Sequence, residues 1–262
     1  MSSQVSVPPA PLNIPADVFY EVLLQSSDED AAFFWLDCRR VSRNFYSAVE
    51  NVFVAKYLKQ TWIHVYSAGG ESSRSRTIHT TEFEFSRLDP ADSSRAIYTH
   101  HKFDEGFQED VCRCLNVVFG TGPSLEQPSI IVQVQQEVND TMLPDFRHSF
   151  DPQSSLFEIS FNWKGMYSHF FREQRVVGDR IGTANCIVQD QWRDDISFST
   201  MCDVFKLAND GYVRMCTRSE RICRNVLAHE GRNVSGEDYE GYQKLADKQR
   251  EIEKYGVHVD ES

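Results

Sequence analysis

The chain has 262 residues, enough for one large domain or two modest ones. Its 39 Asp and Glu outweigh 27 Lys and Arg, and a net charge of −12 opposes binding driven mainly by nucleic-acid phosphates or anionic lipid heads. With 40% hydrophobic and 12% aromatic residues, the chain is too apolar for general disorder and needs no metal or disulfide to hold a core.

Residues 1–11 are polar, uncharged and proline-containing, and read as a disordered leader without the basic start and apolar centre of a secretory signal. From Leu12 a helical module is expected, extending to residue 58. Pro15 suits the first turn of a helix, Asp17 favours the positive end of its dipole, and Val18, Val22 and Leu23 give it an apolar face. The run Ala31 to Leu36 is far short of the roughly 20 apolar residues that cross a bilayer, so no membrane partner is expected. Downstream, Phe34, Cys38, Val41, Phe45, Ala48 and Val52 recur at steps of three and four, the stripe of an amphipathic helix or helix pair. Arg39, Arg40 and Arg43 fall between those positions, on the expected solvent side.

The texture changes at Thr61. Strands are expected at 62–66, 77–85, 95–99, 114–119, 130–134 and 156–161, with a turn at Asp89–Asp92. Short strands without long helices between them argue for an antiparallel sheet. Trp163, Tyr167, Phe170 and Phe171 then mark a helix that should stop near Gly178. The stretch from Ser199 to about Leu227 reads as helix interrupted at Asn209–Gly211, where a hairpin is the alternative. Residues 237–255 form a charged, exposed helix. The expected fold is therefore α+β. A three-helix module over 12–58 precedes a mainly antiparallel, β-rich domain with one helix over 61–198, and a helical C-terminal segment over 199–256 follows.

Chemistry is sparse. The phosphate-binding glycine loops, the G-x-S-x-G nucleophile elbow and H-E-x-x-H are absent from the sequence, and no catalytic residue or cofactor is expected. Seven cysteines, odd in number and without C-x-x-C spacing, read as free thiols of a cytoplasmic or nuclear protein. His100, His101, Cys112 and Cys114 come nearest to a metal site, since a C-x-C pair on a strand would offer two thiols to one face; buried thiols and surface imidazoles are the preferred reading. Arg214, Arg218, Arg221 and Arg224 can line one side of a helix, either as a solvated face or as an attraction for an acidic or phosphorylated partner.

The N-terminal module carries one pattern that resembles a known family. Ile14-Pro15-Ala-Asp17-Val18, followed by Leu36-x-x-Arg39-x-Val41-Ser42-Arg43-x-Phe45, resembles the F-box, with Ile14, Asp17 and Phe45 standing where Leu, Glu and Trp are commoner. The resemblance covers about 45 residues, and the remainder is broadly similar to regions that follow F-box-like segments in fungal proteins. It implies a Skp1-type adaptor as partner and an unidentified protein substrate, the chain being a non-catalytic subunit of a cullin ubiquitin ligase. Ile14, Pro15, Val18, Val22, Leu23, Val41 and Phe45 are then candidates for the adaptor interface or the core beneath it. A module this small also carries more apolar side chains than three short helices hide. The rival reading makes the module a structural cap on a ligand-binding or enzymatic β domain.

Overall fold

The computed structural model describes residues 15–68, 78–100, 108–121, 130–151, 156–191, 213–214 and 216–221. The chain divides into two compact units, residues 1–60 and 61–262. Together they make an α+β protein with helices at the N-terminus and an antiparallel sheet after them. The expected leader over 1–11, the break at Asn209–Gly211 and the charged helix over 237–255 lie outside the described residues.

The first unit holds α1 (Ala16–Leu24), α2 (Ala31–Leu36) and α3 (Arg43–Val52), linked by single 3-10 turns at Asp28–Asp30 and Cys38–Arg40. Pro15 sits at the entry to α1 in extended geometry, where its lacking N–H costs no helical hydrogen bond. Ser27 Oγ accepts from Glu29 N at 3.3 Å at the start of the first turn, and Ser42 Oγ accepts from Phe45 N at 3.2 Å to cap α3. The expected stripe is carried by a helix pair, α2 and α3, parted by a 3-10 turn and a new N-cap. Phe34, Cys38, Ala48 and Val52 are buried, whereas Val41, held at the corner before Ser42, is 68% exposed. Beyond α3 the chain passes through a π-helical turn, Phe53–Tyr57, where Phe53 packs on Trp35 with ring centroids 4.6 Å apart. Burial pushes the Tyr57 phenol up to about 12, helped by the Asp28 and Asp30 carboxylates.

The second unit is a seven-stranded sheet of β1 (Thr61–Ala68), β2 (Ile78–Leu88), β3 (Arg95–His100), β4 (Ile130–Val134), β5 (Glu137–Asn139), β6 (Arg147–Asp151) and β7 (Leu156–Asn162). The order is β5-β4-β1-β2-β3-β7-β6, with every neighbour antiparallel. Period-two alternation puts Ile63, Val65, Phe83, Tyr98, Val132 and Ile159 on the buried side. Two helices complete this unit's core, α4 (Gln108–Thr121) and α5 (Trp163–Gln191). Tyr167 of α5 meets Thr61 of β1, their hydroxyl oxygens 2.8 Å apart. The β2–β3 turn is fastened to α5, since Trp163 Nε1 donates to the Ser93 carbonyl at 2.9 Å. Within that turn Asp92 Oδ1 accepts from Ser94 N at 2.9 Å and from Ser94 Oγ at 2.6 Å, which lowers the Asp92 carboxyl below its usual range.

Two expectations need correction. Residues 114–119 are not a strand but lie in α4, because Val111, Leu115 and Phe119, four residues apart, form its buried stripe. The helix opened by Trp163 does not stop near Gly178; it continues to Gln191. The buried Val177 and the side-chain bonds of Arg180 to Thr217 and Glu220 carry it past the glycine.

Candidate functional site: an apolar face on the helical module

Four of the residues singled out by the sequence are exposed: Pro15, Val18, Val22 and Val41. Val18 is 48% exposed and Val22 60%; one turn apart on α1, they share a face. Leu23 is buried, so it belongs to the core. Phe45 is half-buried and faces Phe19 with ring centroids 3.9 Å apart, which fastens α3 to α1. Ile14 lies outside the described residues. The unit also exposes Phe33 and Tyr46, which the motif does not include.

Arg39 is not on the solvent side. Its guanidinium lies 4.2 Å from the Trp35 ring centroid and 4.5 Å from that of Tyr46. It also donates to the Tyr46 hydroxyl at 3.0 Å and pairs with Glu50. One side chain therefore joins α2, the turn that bears it and α3, which fixes where Val41 emerges. Arg40 and Arg43 are exposed, as expected. Cys38 is buried, and burial with the Asp37 and Asp30 carboxylates raises its thiol, which makes it a poor nucleophile.

No match to this chain is found among protein-family models, curated proteins or solved structures.

Among the described residues no group of three or more His, Cys, Asp or Glu converges as a metal site. His100 is buried, and its Nε2 accepts from Phe157 N at 2.9 Å, so the imidazole serves the sheet. Cys112 and Cys114 lie on α4, where residues two apart diverge by roughly 200°, so the strand argument for a shared face fails. No described helix is long and apolar enough to cross a membrane.

Three of the four arginines on the helical stretch pair within the unit, with Arg224 outside the described residues. Arg218 Nε and Arg221 Nη2 each lie 2.6 Å from an oxygen of Asp140. Arg221 Nη1 reaches Glu173 at 2.8 Å, and Arg214 Nη1 donates to Gln174 Oε1 at 2.9 Å. This side of the helix faces acids of its own chain and is not a bare cationic surface. The sequence missed Asp140 and Glu173 because nothing local marks two acids 33 positions apart as neighbours.

Proposed function

We propose that the helical module docks a Skp1-type adaptor, and that the protein is the substrate-binding subunit of a cullin ubiquitin ligase without catalytic activity of its own. One observation carries the reading: the motif positions Pro15, Val18, Val22 and Val41 are apolar and exposed on a module whose core is already filled by Leu23, Phe34, Trp35, Val49 and Phe53. Three valines left in water add nothing to that core, whereas covering them with a partner adds about 1 kcal/mol or more each. Docking uses the residues that folding leaves over. In this reading the second unit holds the substrate.

Co-purification of the intact chain with a Skp1-type adaptor tests the proposal. The wild-type chain should carry the adaptor through size-exclusion chromatography, and Pro15→Ala and Val41→Asp should each weaken the complex. An adaptor that elutes apart from the wild-type chain at micromolar concentration rejects the proposal.

A further inference from the structure

We propose that the sheet edge formed by β6 pairs with the same edge of a second copy of this chain, antiparallel about a two-fold axis at Ser149. Among the described residues, β6 ends the sheet on one side and β5 on the other. The two edges are built differently. β5 has three residues; Glu137 lies 3.6 Å from Arg214, and Asp140, just after the strand, is 2.6 Å from both Arg218 and Arg221. β6 has five residues, all exposed, with no Lys or Pro among them to deter another strand.

The hydrogen bonds of β7 fix which backbone groups of β6 face outward. Phe157 N donates to His100 of β3, and Asn162 N donates to the Pro144 carbonyl, on the β6 side. Alternation along β7 therefore turns Phe157 and Ile159 toward β3, and Glu158 and Ser160 toward β6. Arg147 and Ser149, opposite Ser160 and Glu158, spend their backbone groups on β7. His148 and Phe150, opposite Ile159 and Phe157, point theirs away from the sheet.

That pattern is its own complement. With Ser149 on the axis, His148 meets Phe150 of the second copy, and each such pair exchanges two backbone hydrogen bonds on both sides of the axis. His148 and Phe150 share the sheet face on which His148 stacks on Phe119 of α4, at 5.0 Å, so the new pairs extend an aromatic surface already there. On the other face Arg147 stands opposite the second copy's Asp151. A carboxylate accepts from several donors at once, so this charge match needs Asp151 to give up no bond it already makes. Neighbouring registers fit worse. Centring on Phe150 sets His148 against Pro152, which has no N–H, and centring on His148 sets Asp151 against Asp145. A two-fold pairing through β6 closes on itself, and the short, tied β5 edge does not propagate it, so assembly stops at two copies. The edge belongs to the second unit alone, and the proposal is independent of adaptor docking.

Analytical ultracentrifugation of the full chain, with no adaptor present, tests it. The wild type should show a reversible monomer–dimer equilibrium at concentrations up to about 300 μM, in keeping with a small interface. Arg147→Asp and Asp151→Arg each set like charges opposite one another and should raise the dissociation constant at least tenfold. An equimolar mixture of those two variants restores both ion pairs and should associate as the wild type does, which also shows that each variant is folded. His148→Pro removes an outward N–H and none bound to β7, and should weaken the dimer likewise. Arg40→Asp, an exposed charge reversal in the first unit, should leave it unchanged. A wild-type chain that stays monomeric, a dimer that survives both charge reversals, a mixture no better associated than its components, or growth beyond two copies overturns the proposal. Because the adaptor is absent, either proposal can fail alone.

Discussion

Arg39 shows how one side chain sets the shape of a surface. It lies over the rings of Trp35 and Tyr46 and pairs with Glu50, so its removal takes away two ring contacts and the ion pair to a largely covered carboxylate. Arg39→Ala should destabilise the first unit by about 1–3 kcal/mol in urea denaturation, and Arg39→Lys should recover only part of this, since an ammonium lacks the planar face that stacks on rings. Val41 is the converse. Being 68% exposed, it should tolerate Asp with less than about 0.5 kcal/mol change in folding free energy, measured in the same way. Tyr57 adds a pH dependence of definite sign. Its phenol keeps its proton up to about 12 in the folded chain but only to about 10 when unfolded. The unfolded state therefore binds fewer protons in that window, and stability falls as pH rises from about 10 to 12. Tyr57→Phe should flatten that decline in the urea midpoint, whereas an equal decline in the variant would contradict the cause given.

At the scale of elements, α4 and the β4–β5 hairpin show what sequence patterning conveys and what it leaves out. The strands at 62–66, 130–134 and 156–161 were legible because buried residues alternate with more accessible ones, so the period is written into the residues, whereas in 95–99 the run Arg95 to Tyr98 is buried throughout. In 114–119 the apolar residues Cys114, Leu115, Val117, Val118 and Phe119 are too dense to distinguish period two from period 3.6. The missing clue was Val111, one helical turn before Leu115. The helical arrangement predicts that Phe119→Ala costs about 3–5 kcal/mol while Val117→Ala, at an exposed position, costs under about 1 kcal/mol. A strand core would have made Leu115, Val117 and Phe119 equally costly, so thermal denaturation of the two variants separates the alternatives. β5 and β6 were invisible for different reasons. The turn into β5 uses Gln135 at a φ of 56° in place of Gly or Asn, and every residue of β6 is exposed.

On the scale of the whole molecule, the division into residues 1–60 and 61–262 separates two kinds of surface. The first unit shows exposed valines and aromatic rings beside the Arg39–Glu50 and Lys56–Asp28 pairs. In the second, a sheet core of large aromatic side chains carries a small cavity where apolar side chains, carboxylates and arginines meet. Composition foretold neither arrangement, because a net charge of −12 says nothing of where arginines gather. The interface candidates were legible from the motif, but their sorting was not. Leu23 and Val22 are adjacent in sequence and chemically alike, and only the packing of α1 on α3 decides that one is core and the other is surface. The cavity was not legible at all, since it joins β4, β5, α5 and a helix more than 70 residues beyond the hairpin.

The most direct test of the central claim is the affinity of the full chain for a purified Skp1-type adaptor, measured for wild type and for the Val18→Asp/Val41→Asp pair alongside their urea midpoints. Micromolar or tighter binding by the wild type, weakened at least thirtyfold in the pair with the midpoint unchanged, is the predicted result. No complex with the wild type, or equal affinity for both proteins, would contradict the account.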